Sequence, residues 1–584
     1  MNQLEQDALA TFIQQLSAAT FLQSKAEIKQ IQQPLPPPTT FSLLTSPAVS
    51  AEYRLDGITF SHLFDNTLQS AILTTYVGET KWILNEAPRL SEIPVSFLYG
   101  KNGWYDESTQ KDNLPPQFKT FFIDTKIPFG LHHSKIMLLT YPTGLRFVVT
   151  TANLIESDWN GRTQALWMQD FPLLPPNSHP PPTLSLFQTT LRRYLATVGI
   201  TQSKINLDLY DFSGACAELL CSVPGSFTLF ENDPRLGEDW GHFQLRKLLL
   251  HHHDSIPQIE RASLEEFVFQ FSSFGTLTEV WLDEFCTSLG FVPQTKSRLG
   301  EGSRARKLSL IWPTVNSVRR SFFGYDSGGS LCLSKKAVRD FWKEHLCDWD
   351  AEVSGRQHLM PHCKFYLPHR LCGDEEDVEW IVMTSANLSK SAWGFKTKEG
   401  KHHISNYECG VLLHPHRIEE TLADLRRKGH TSFFNCTGPP HPFPETDRCV
   451  FRSRYAPASP QIPPTQPTQG VSSPGSTTPQ ISNPSSSVIG AHSSQILLPI
   501  PFSLPPLPYP NPSPTSHPDT SELWVWDTNH RTADIYGNCW IPDDSERSAP
   551  PPDPKTSGAR KTWKNKETNW KGKRGNSTRF QKNT

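Results

Sequence analysis

Residues 132–161 read HHSKIMLLTYPTGLRFVVTTANLIESDWNG, and residues 361–394 read PHCKFYLPHRLCGDEEDVEWIVMTSANLSKSAWG. Four residues of the first stretch recur in the second: His133 as His362, Lys135 as Lys364, Asn153 as Asn387 and Trp159 as Trp393. The offset is 229 residues for His and Lys and 234 for Asn and Trp, so the second copy carries a five-residue loop extension. This repeat predicts that the chain contains one structural unit twice.

Each copy has the pattern of a strand, a turn, a second strand and a helix. The second strands, LRFVVTT and EWIVMTS, are short apolar runs typical of buried strands. Strand and helix patterns alternate in the rest of the chain, which predicts an α/β fold. We therefore expect two similar α-β-α sandwich domains related by a pseudo-twofold axis.

The repeated side chains suit phosphodiester chemistry. Two residues apart on a strand, His and Lys point to the same face, and the next strand delivers Asn from its carboxyl end. One imidazole can attack phosphorus, and the other can protonate the departing oxygen and later activate water. Two Lys and two Asn side chains can stabilise the charged oxygens of the transition state, so neither a metal nor a cofactor is expected. The symmetric repeat does not assign the two roles, and a purely structural duplication is the alternative.

Length and composition exclude several other classes of protein. The 584 residues suit two domains with tails. The sequence contains no run of about 18 apolar residues, so no membrane span is predicted. Glu5 and Asp7 lie where a signal peptide carries Lys or Arg, which argues against a secreted protein. The 11 cysteines form no C-x-x-C pair, which argues against a zinc ribbon and fits reduced thiols in the cytosol or nucleus.

Shifts in composition divide the chain. A Pro-rich segment precedes the first apolar strand pattern, and a segment rich in Pro, Ser, Thr and Gln interrupts the later part of the chain. Such segments have too few apolar residues to form a core. The predicted order is a disordered segment at 1–40, a first domain at 41–225, a second domain at 226–455 and 496–545, a disordered insertion at 456–495 and a basic disordered tail at 546–584.

The tail separates the charge of the chain. From Lys555 to Thr584 there are ten Lys or Arg and one acid, so this part carries about +9 and the remainder about −11 within a net charge of −2. Cations interleaved with Trp563, Trp570 and Phe580 suit nucleic acid, because cations meet phosphates and aromatic rings stack on bases. A solubilising or nuclear-import role is the alternative.

Nine separated motifs resemble those of the tyrosyl-DNA phosphodiesterases that process topoisomerase I adducts, a branch of the phospholipase D superfamily. The resemblance covers residues 41–454 and 496–544. The motifs are FGLHHSKIMLL, FVVTTANLIESDWNGRTQALW, DWGHFQLRKLL, QFSSFGTL, LIWPTVNSVRRSFFGYDSGGSL, MPHCKFY, TSANLSKSAWG, NYECGVLL and YGNCWIPDD. The wider superfamily has Asp where this chain has Thr140 and His369, a departure that argues against a phospholipase and fits the tyrosyl-DNA branch.

The resemblance implies two phospholipase D-type domains and a DNA repair hydrolase located in the nucleus. Its substrate is a single- or double-stranded DNA whose 3′ end carries a topoisomerase I-derived phosphotyrosyl peptide, and its product is a 3′-phosphate. His133 is the implied nucleophile, which forms a covalent phosphohistidine, and His362 is the implied general acid and base. The implied phosphate-binding residues are Lys135, Asn153, Lys364 and Asn387. We expect a monomer, because both copies lie in one chain, and no membrane contact.

Further residues match family positions. Gln164 and Glu408 resemble the imidazole-orienting partners, although the sequence does not say which partner serves which His, and exposed polar side chains are the alternative. Other matches suggest contacts with DNA or, for the Trp, with the peptide: Ser272, Ser273, Ser389, Phe129 and Trp540. Local sequence equally fits turn or helix-capping serines and a core Phe and Trp.

Two other interpretations of the same residues stay open: a general phospholipase D-type nuclease, and a non-catalytic protein that binds DNA ends.

The run at His251–Asp254 is not interpreted as a metal site, since four consecutive residues do not easily face one ion. We expect it to end a helix.

Overall fold

The structure is a computed structural model of the 584-residue chain. It describes residues 23–25, 27, 39–54, 57–100, 114–176, 184–229, 240–253, 266–293, 305–372, 375–437, 440–443, 449–455, 494–510 and 521–542. The predicted disordered tail at 546–584 lies outside these residues, as do most of the predicted insertion and of the segment at 1–40. Within that first segment, residues 23–25 and 27 are helical, and residues 39–40 begin the first strand.

The first sheet contains the first copy of the repeat. Its strands are β1 (Thr39–Leu43), β2 (Ser70–Thr75), β3 (Val95–Gly100), β4 (Phe118–Ile123), β5 (Ile136–Tyr141), β6 (Gly144–Thr150) and β7 (Ala165–Pro172). They lie in the order β1-β7-β6-β5-β2-β3-β4, with β2, β3 and β4 parallel and the others antiparallel to their neighbours. Thus the two strands predicted after His133 are neighbouring strands of a mixed sheet.

Both faces of the first sheet are buried, which explains why its strands read as continuous apolar runs. Alternate residues of β5 point to opposite faces: Ile136 and Leu138 belong to one core, and Met137 and Leu139 to another. The first of these cores continues into the second half of the chain, whereas Trp82 and Trp159 help to form the second core. Hydrophobic burial at about 25 cal/mol per Å² therefore holds the layers together from both sides.

The second sheet has eleven strands in the described part of the chain and contains the second copy. They are Glu218–Ser222, Glu266–Gln270, Val292–Pro293, Ala305–Ile311, Leu346–Cys347, Phe365–Cys372, Glu375–Val378, Ile381–Thr384, Glu408–Leu413, Cys449–Ser453 and Ser494–Leu498. Phe365–Cys372 pairs with Ile381–Thr384, which pairs in turn with Glu408–Leu413, as β5, β6 and β7 do in the first sheet. The strand Glu375–Val378 occupies part of the loop extension of the second copy.

Several of the described helices begin at polar capping residues. The α-helices are Thr80–Glu86, Glu156–Gly161, Leu186–Thr197, Gly241–His253, Glu279–Ser288, Val315–Arg319, Asp340–Lys343, Lys390–Trp393 and Pro415–Arg427. Short 3₁₀ helices span Ala51–Tyr53, Phe60–Leu63, Pro88–Ser91, Leu207–Leu209, Gly324–Ser330, Lys335–Ala337 and Glu352–Ser354. Ser185, Thr278 and Thr314 each accept a backbone N–H with the side-chain oxygen, the usual stabilisation of a helix start. None of the described helices has the length and apolarity needed to cross a membrane.

The α/β class and the strands predicted within each repeat are confirmed. The composition of SELWVWDT (521–528) and DIYGNCWIPDD (534–544) predicts strands separated by turns. This prediction is wrong for the described residues 521–528 and 534–542, which contain only isolated bridges at Leu523 and Trp540 among turns, bends and irregular chain. The domain limits stay predictions. Glu218–Ser222, before the predicted limit at 225, pairs with Glu408–Leu413 of the second sheet. Cys449–Ser453 and Ser494–Leu498, on either side of the predicted insertion, are parallel neighbours in that sheet.

An ion pair is buried between β6 and β7. The Arg146 guanidinium donates to both oxygens of Asp170, at 2.8 and 2.9 Å, and neither side chain is exposed. The same carboxylate accepts the backbone N–H of Cys436 at 2.8 Å. The pair therefore joins β6 and β7 of the first sheet to a distant part of the chain.

Replacing one partner of this pair is expected to destabilise the fold strongly. Asp170→Ala leaves the Arg146 guanidinium buried without its carboxylate, which costs about 3–5 kcal/mol. Asp208→Ala is the matched control, because the ion pair that it breaks with Arg192 has side chains about one third exposed, and costs at most about 1 kcal/mol. Chemical denaturation followed by tryptophan fluorescence measures both. Equal losses for the two variants would contradict this reading of the Arg146–Asp170 pair.

Candidate active site

The two His-x-Lys elements lie just before strands rather than within them. Lys135 directly precedes β5, and Lys364 directly precedes Phe365–Cys372. In both copies the backbone at Lys is already paired with the next strand: Thr150 N–H donates to the Lys135 carbonyl at 3.0 Å, and Thr384 N–H to the Lys364 carbonyl at 3.2 Å. The equivalent hydrogen bonds show that the copies place His and Lys in the same way.

Each histidine is bound to the backbone of the other copy. His133 N–H donates to the Tyr407 carbonyl at 2.9 Å, and His362 N–H donates to the Thr163 carbonyl at 3.0 Å. Tyr407 immediately precedes Glu408, and Thr163 immediately precedes Gln164. This exchange brings the two elements, 229 residues apart in sequence, into one site.

The same exchange gives each imidazole a partner from the opposite copy. His133 Nδ1 lies 2.8 Å from Glu408 Oε2, and His362 Nδ1 lies 2.8 Å from Gln164 Nε2. The structure thus decides a pairing that the sequence left open. All four side chains are buried, so the alternative of exposed polar residues is wrong. One histidine faces a carboxylate and the other an amide, which makes the two halves chemically unequal.

The variable residue of T-x-A-N-L holds these partners in place. The Thr151 hydroxyl donates to Gln164 Oε1 at 2.7 Å, and the Ser385 hydroxyl donates to Glu408 Oε2 at 2.5 Å. A hydroxyl at this position of each motif therefore fixes the orienting side chain of the neighbouring strand. The motif predicted the position of Asn but not this contact, because the acceptor lies 13 or 23 residues further along the chain, outside the motif.

The two ammonium groups are fully buried next to their own histidines. Lys135 Nζ donates to the His133 carbonyl, and Lys364 Nζ donates to the His362 carbonyl. Burial lowers the pKa of Lys135 to about 7, with Lys364 adding to this effect and Glu408 opposing it. Burial likewise lowers the pKa of Lys364 to about 8. Two buried, poorly solvated cations in one site favour the binding of an anion.

The two asparagines are held by different groups. Asn153 donates from its backbone and from Nδ2 to Asp158 Oδ2, at 2.7 and 2.9 Å, and Arg162 binds the other oxygen of that carboxylate at 2.5 Å. Asn387 instead accepts the backbone N–H of Ser272 at 3.0 Å and its hydroxyl at 3.3 Å through Oδ1. The Nδ2 group of Asn387 is thereby oriented as a donor, as a phosphate oxygen requires.

The protein environment disfavours the charged form of both imidazoles. Burial lowers the pKa of His133, Glu408 opposes that shift, and Lys135 adds to it. Burial and Lys364 lower the pKa of His362 to about 3, against the opposing effect of Asp158. A neutral His133 whose Nδ1–H is held by a carboxylate presents the lone pair of Nε2, the form required of a nucleophile.

The residues assigned to DNA and peptide contacts lie in varied settings. Phe129 is 82% exposed with a backbone φ of 60°, so its interpretation as a core residue is wrong. Ser389 caps the helix Lys390–Trp393 by accepting the N–H of Ala392, and the Ser273 hydroxyl donates to the Cys332 carbonyl at 3.3 Å. Half-buried Trp540 donates to the Trp526 carbonyl at 2.7 Å. Their contacts with DNA or peptide stay predictions.

The histidine run does end a helix, Gly241–His253. His252 Nε2 lies 2.7 Å from Glu218 Oε1, and its ring stacks on His414 with centroids 4.2 Å apart. In the described part of the chain, no three His, Cys, Asp or Glu residues are arranged to hold a metal ion.

Sequence reasoning missed three residues of this site: Thr151, Ser385 and Asp158. The first two occupy the x of T-x-A-N-L, where a hydroxyl in both copies was an available signal. Asp158 occupies the position matched by Ala392, so a search for identical residues in the repeat passes over it.

Comparisons with known proteins identify relatives of this chain. The family profile described as Tyrosyl-DNA phosphodiesterase matches residues 41–510. The chain is 31% identical to Tyrosyl-DNA phosphodiesterase 1 of Arabidopsis thaliana over 543 residues, which are 88% of this chain and 79% of that protein. It is also 31% identical to the protein of the same name from Drosophila melanogaster, over 62% of this chain and 63% of the relative. A crystal structure of a yeast tyrosyl-DNA phosphodiesterase mutant matches with a TM-score of 0.52 at 21% identity, covering 65% of this chain and 89% of that one, which shows a shared fold.

The lowered lysine pKa values predict how anion binding depends on pH. Sulfate keeps its charge between pH 6.5 and pH 9, whereas Lys135 and Lys364, with pKa values of about 7 and about 8, lose theirs as the pH rises. Inhibition of phosphodiester hydrolysis by sulfate, measured at constant ionic strength, is therefore expected to weaken by at least about tenfold over this range. Lys135→Gln is the control: it binds sulfate less well at pH 6.5, and its affinity falls only near pH 8. A pH-independent inhibition constant in the unmodified protein would contradict the prediction.

Proposed function

This chain belongs to the tyrosyl-DNA phosphodiesterase family, and from that premise we propose that its paired site hydrolyses the 3′-phosphotyrosyl bond between DNA and a topoisomerase I-derived peptide. The chain is a phosphoric diester hydrolase of DNA repair that acts on DNA with a blocked 3′ end. The observation that carries the proposal is the pair of imidazoles with unequal partners, Glu408 for His133 and Gln164 for His362, beside two buried ammonium groups.

The first step is attack by His133. Glu408 accepts the Nδ1–H and leaves the Nε2 lone pair free to form the P–N bond. His362 enters this step protonated, because the negative charge of the bound phosphate favours its charged form. As the P–O bond to tyrosine breaks, His362 transfers the proton on Nε2 to the departing phenolate oxygen. Lys135 and Lys364 neutralise the phosphoryl oxygens while charge develops. The products of this step are a free tyrosyl peptide and a DNA 3′-phosphohistidine.

The second step releases the DNA. Neutral His362 now accepts a proton from water through Nε2, and the water oxygen attacks phosphorus. The P–N bond to His133 breaks, its electron pair returns to Nε2, and a 3′-phosphate end is left. His362 is again protonated, so both histidines return to their starting states.

The substrate is proposed to be single- or double-stranded DNA, with the peptide as part of it and the protein acting as a monomer. Both copies of the repeat lie in one chain, so one chain supplies every group of the site. The exposed ring of Phe129, four residues before His133, supports base stacking next to the scissile bond.

A nuclear location is proposed from the basic residues of 555–584, which suit both import and DNA binding. Imaging of a fluorescent fusion with and without residues 555–584 tests it. Exclusion of the complete fusion from the nucleus would overturn this proposal without affecting the chemistry.

Trapping of the covalent intermediate tests the two histidine roles. His362→Ala is expected to slow hydrolysis of a 3′-phosphotyrosyl oligonucleotide by about 10²–10⁴-fold, because it removes the acid of the first step and the base of the second. The DNA adduct on His133 should accumulate, and it is measured on a denaturing gel. His133→Ala is the control and should form no adduct. Absence of an adduct in His362→Ala, or an adduct in His133→Ala, would overturn the assignment.

Turnover on three substrates separates the open interpretations. We expect cleavage of the phosphotyrosyl oligonucleotide, little cleavage of a plain duplex and none of phosphatidylcholine. Rapid cleavage of the duplex or the lipid favours a general phospholipase D-type enzyme. Tight binding of the adducted oligonucleotide without turnover favours a DNA-end binding protein.

Chelation tests the expected independence from metal. Two buried ammonium groups supply positive charge at the phosphoryl group, a role that metal ions fill in other phosphodiesterases. Turnover in excess EDTA should therefore equal turnover without it. Loss of activity that Mg²⁺ or Zn²⁺ restores would show that the lysines do not suffice.

A further inference from the structure

Asp158 is a buried carboxylate beside His362 that the reaction described above does not use. It lies in the first turn of the helix Glu156–Gly161 and is 1% exposed. Its Oδ2 lies 3.4 Å from His362 Nδ1, while Arg162 holds Oδ1. The proposal below rests on the proposed function and deepens it.

The repeat shows that this carboxylate serves only one half of the site. The residue of the second copy that matches Asp158 is Ala392, at the offset of 234 shared by the Asn and Trp pairs. His133 obtains its carboxylate from Glu408, whereas the equivalent partner of His362 is the amide of Gln164. Asp158 thus supplies negative charge to the histidine whose orienting partner is uncharged.

An amide alone does not define the state of the His362 ring. Gln164 can present either its oxygen or its NH₂ group to Nδ1, because the Thr151 hydroxyl can bind either end of that amide. An ionised carboxylate can only accept hydrogen bonds. Asp158 therefore favours a proton on Nδ1, and with it the doubly protonated imidazolium that a general acid requires.

The charges around the ring support this direction. Burial lowers the pKa of His362, Lys364 and Arg162 lower it further, and Asp158 is the neighbouring group that raises it. Burial raises the pKa of Asp158, but His362, Arg162 and the Asn153 backbone N–H together hold it well below its ordinary value. Asp158 is therefore ionised at neutral pH.

We propose that Asp158 is a positioning residue that makes His362 an effective general acid, and that its importance scales with the need of the leaving group for a proton. Tyrosine leaves as a poorly stabilised phenolate and gains from protonation, whereas 4-nitrophenol leaves as a stable anion and gains little. The effect of losing Asp158 must then depend on the leaving group.

The experiment compares two oligonucleotides that differ only in the 3′-phosphoryl leaving group, tyrosine or 4-nitrophenol. Single-turnover rates of the first step are measured for the full chain and for Asp158→Asn. We expect about a 100-fold loss with tyrosine and less than about a 3-fold loss with 4-nitrophenol. The ratio of the two rates in one preparation does not depend on the folded fraction, so partial misfolding does not imitate the result.

Glu408→Gln is the matched control, since it makes the same exchange of carboxylate for amide at the other histidine. It weakens attack by His133 and is expected to slow both substrates by similar factors. Asp158→Glu keeps the charge and should recover most of the tyrosine rate. Arg162→Gln removes the cation that binds the Asp158 carboxylate, and its site is more exposed than position 158, so this variant remains informative even if substitutions at 158 do not fold. It should raise the ratio of the tyrosine rate to the 4-nitrophenol rate by about 3-fold.

The outcomes separate the two proposals. If the unmodified protein cleaves neither oligonucleotide, the proposed function fails and this inference fails with it. If it cleaves both and Asp158→Asn slows both equally or neither, or if Arg162→Gln leaves the ratio unchanged or lower, only the role of Asp158 is overturned.

Discussion

Two backbone hydrogen bonds join the halves of the site: His133 N–H to the Tyr407 carbonyl, and His362 N–H to the Thr163 carbonyl. Each bond places a histidine beside the orienting residue of the other copy: Glu408, which begins its strand, or Gln164, which directly precedes β7. If either were lost, the imidazole would separate from Glu408 or Gln164, and the buried polar groups would lack partners, at a cost of about 1–3 kcal/mol each. The rest of the site depends on this exchange between copies.

Burial of the charged groups gives the site both its strength and its fragility. Lys135 and Lys364 are fully buried and burial lowers the pKa of both, so a bound phosphate anion favours their charged forms. The apolar layers on both faces of the first sheet keep water away from these groups. The hydrophobic core and the electrostatics of catalysis are therefore parts of one arrangement.

Much of this arrangement was predictable from the repeat. It identified His133, Lys135, Asn153 and their counterparts, the strands that follow them and the α/β class, because strand periodicity and motif spacing are local properties. Strands expected near Trp524 and Trp540 were wrong, since β-like composition there serves packing of aromatic rings without a neighbouring strand. The contact of Asp158 with His362 was not predictable from the repeat, because the second copy has Ala392 at the matching position.

The sequence by itself determined which residue types form the site, how far apart they lie along the chain and which family they belong to. Only the tertiary structure decided that Glu408 serves His133, that Gln164 serves His362 and that Asp158 adds charge to one side. The physical reason is that hydrogen bonds between the two halves of the site join residues up to 275 positions apart. Such pairings depend on how the two copies pack, and a symmetric motif contains no record of that packing.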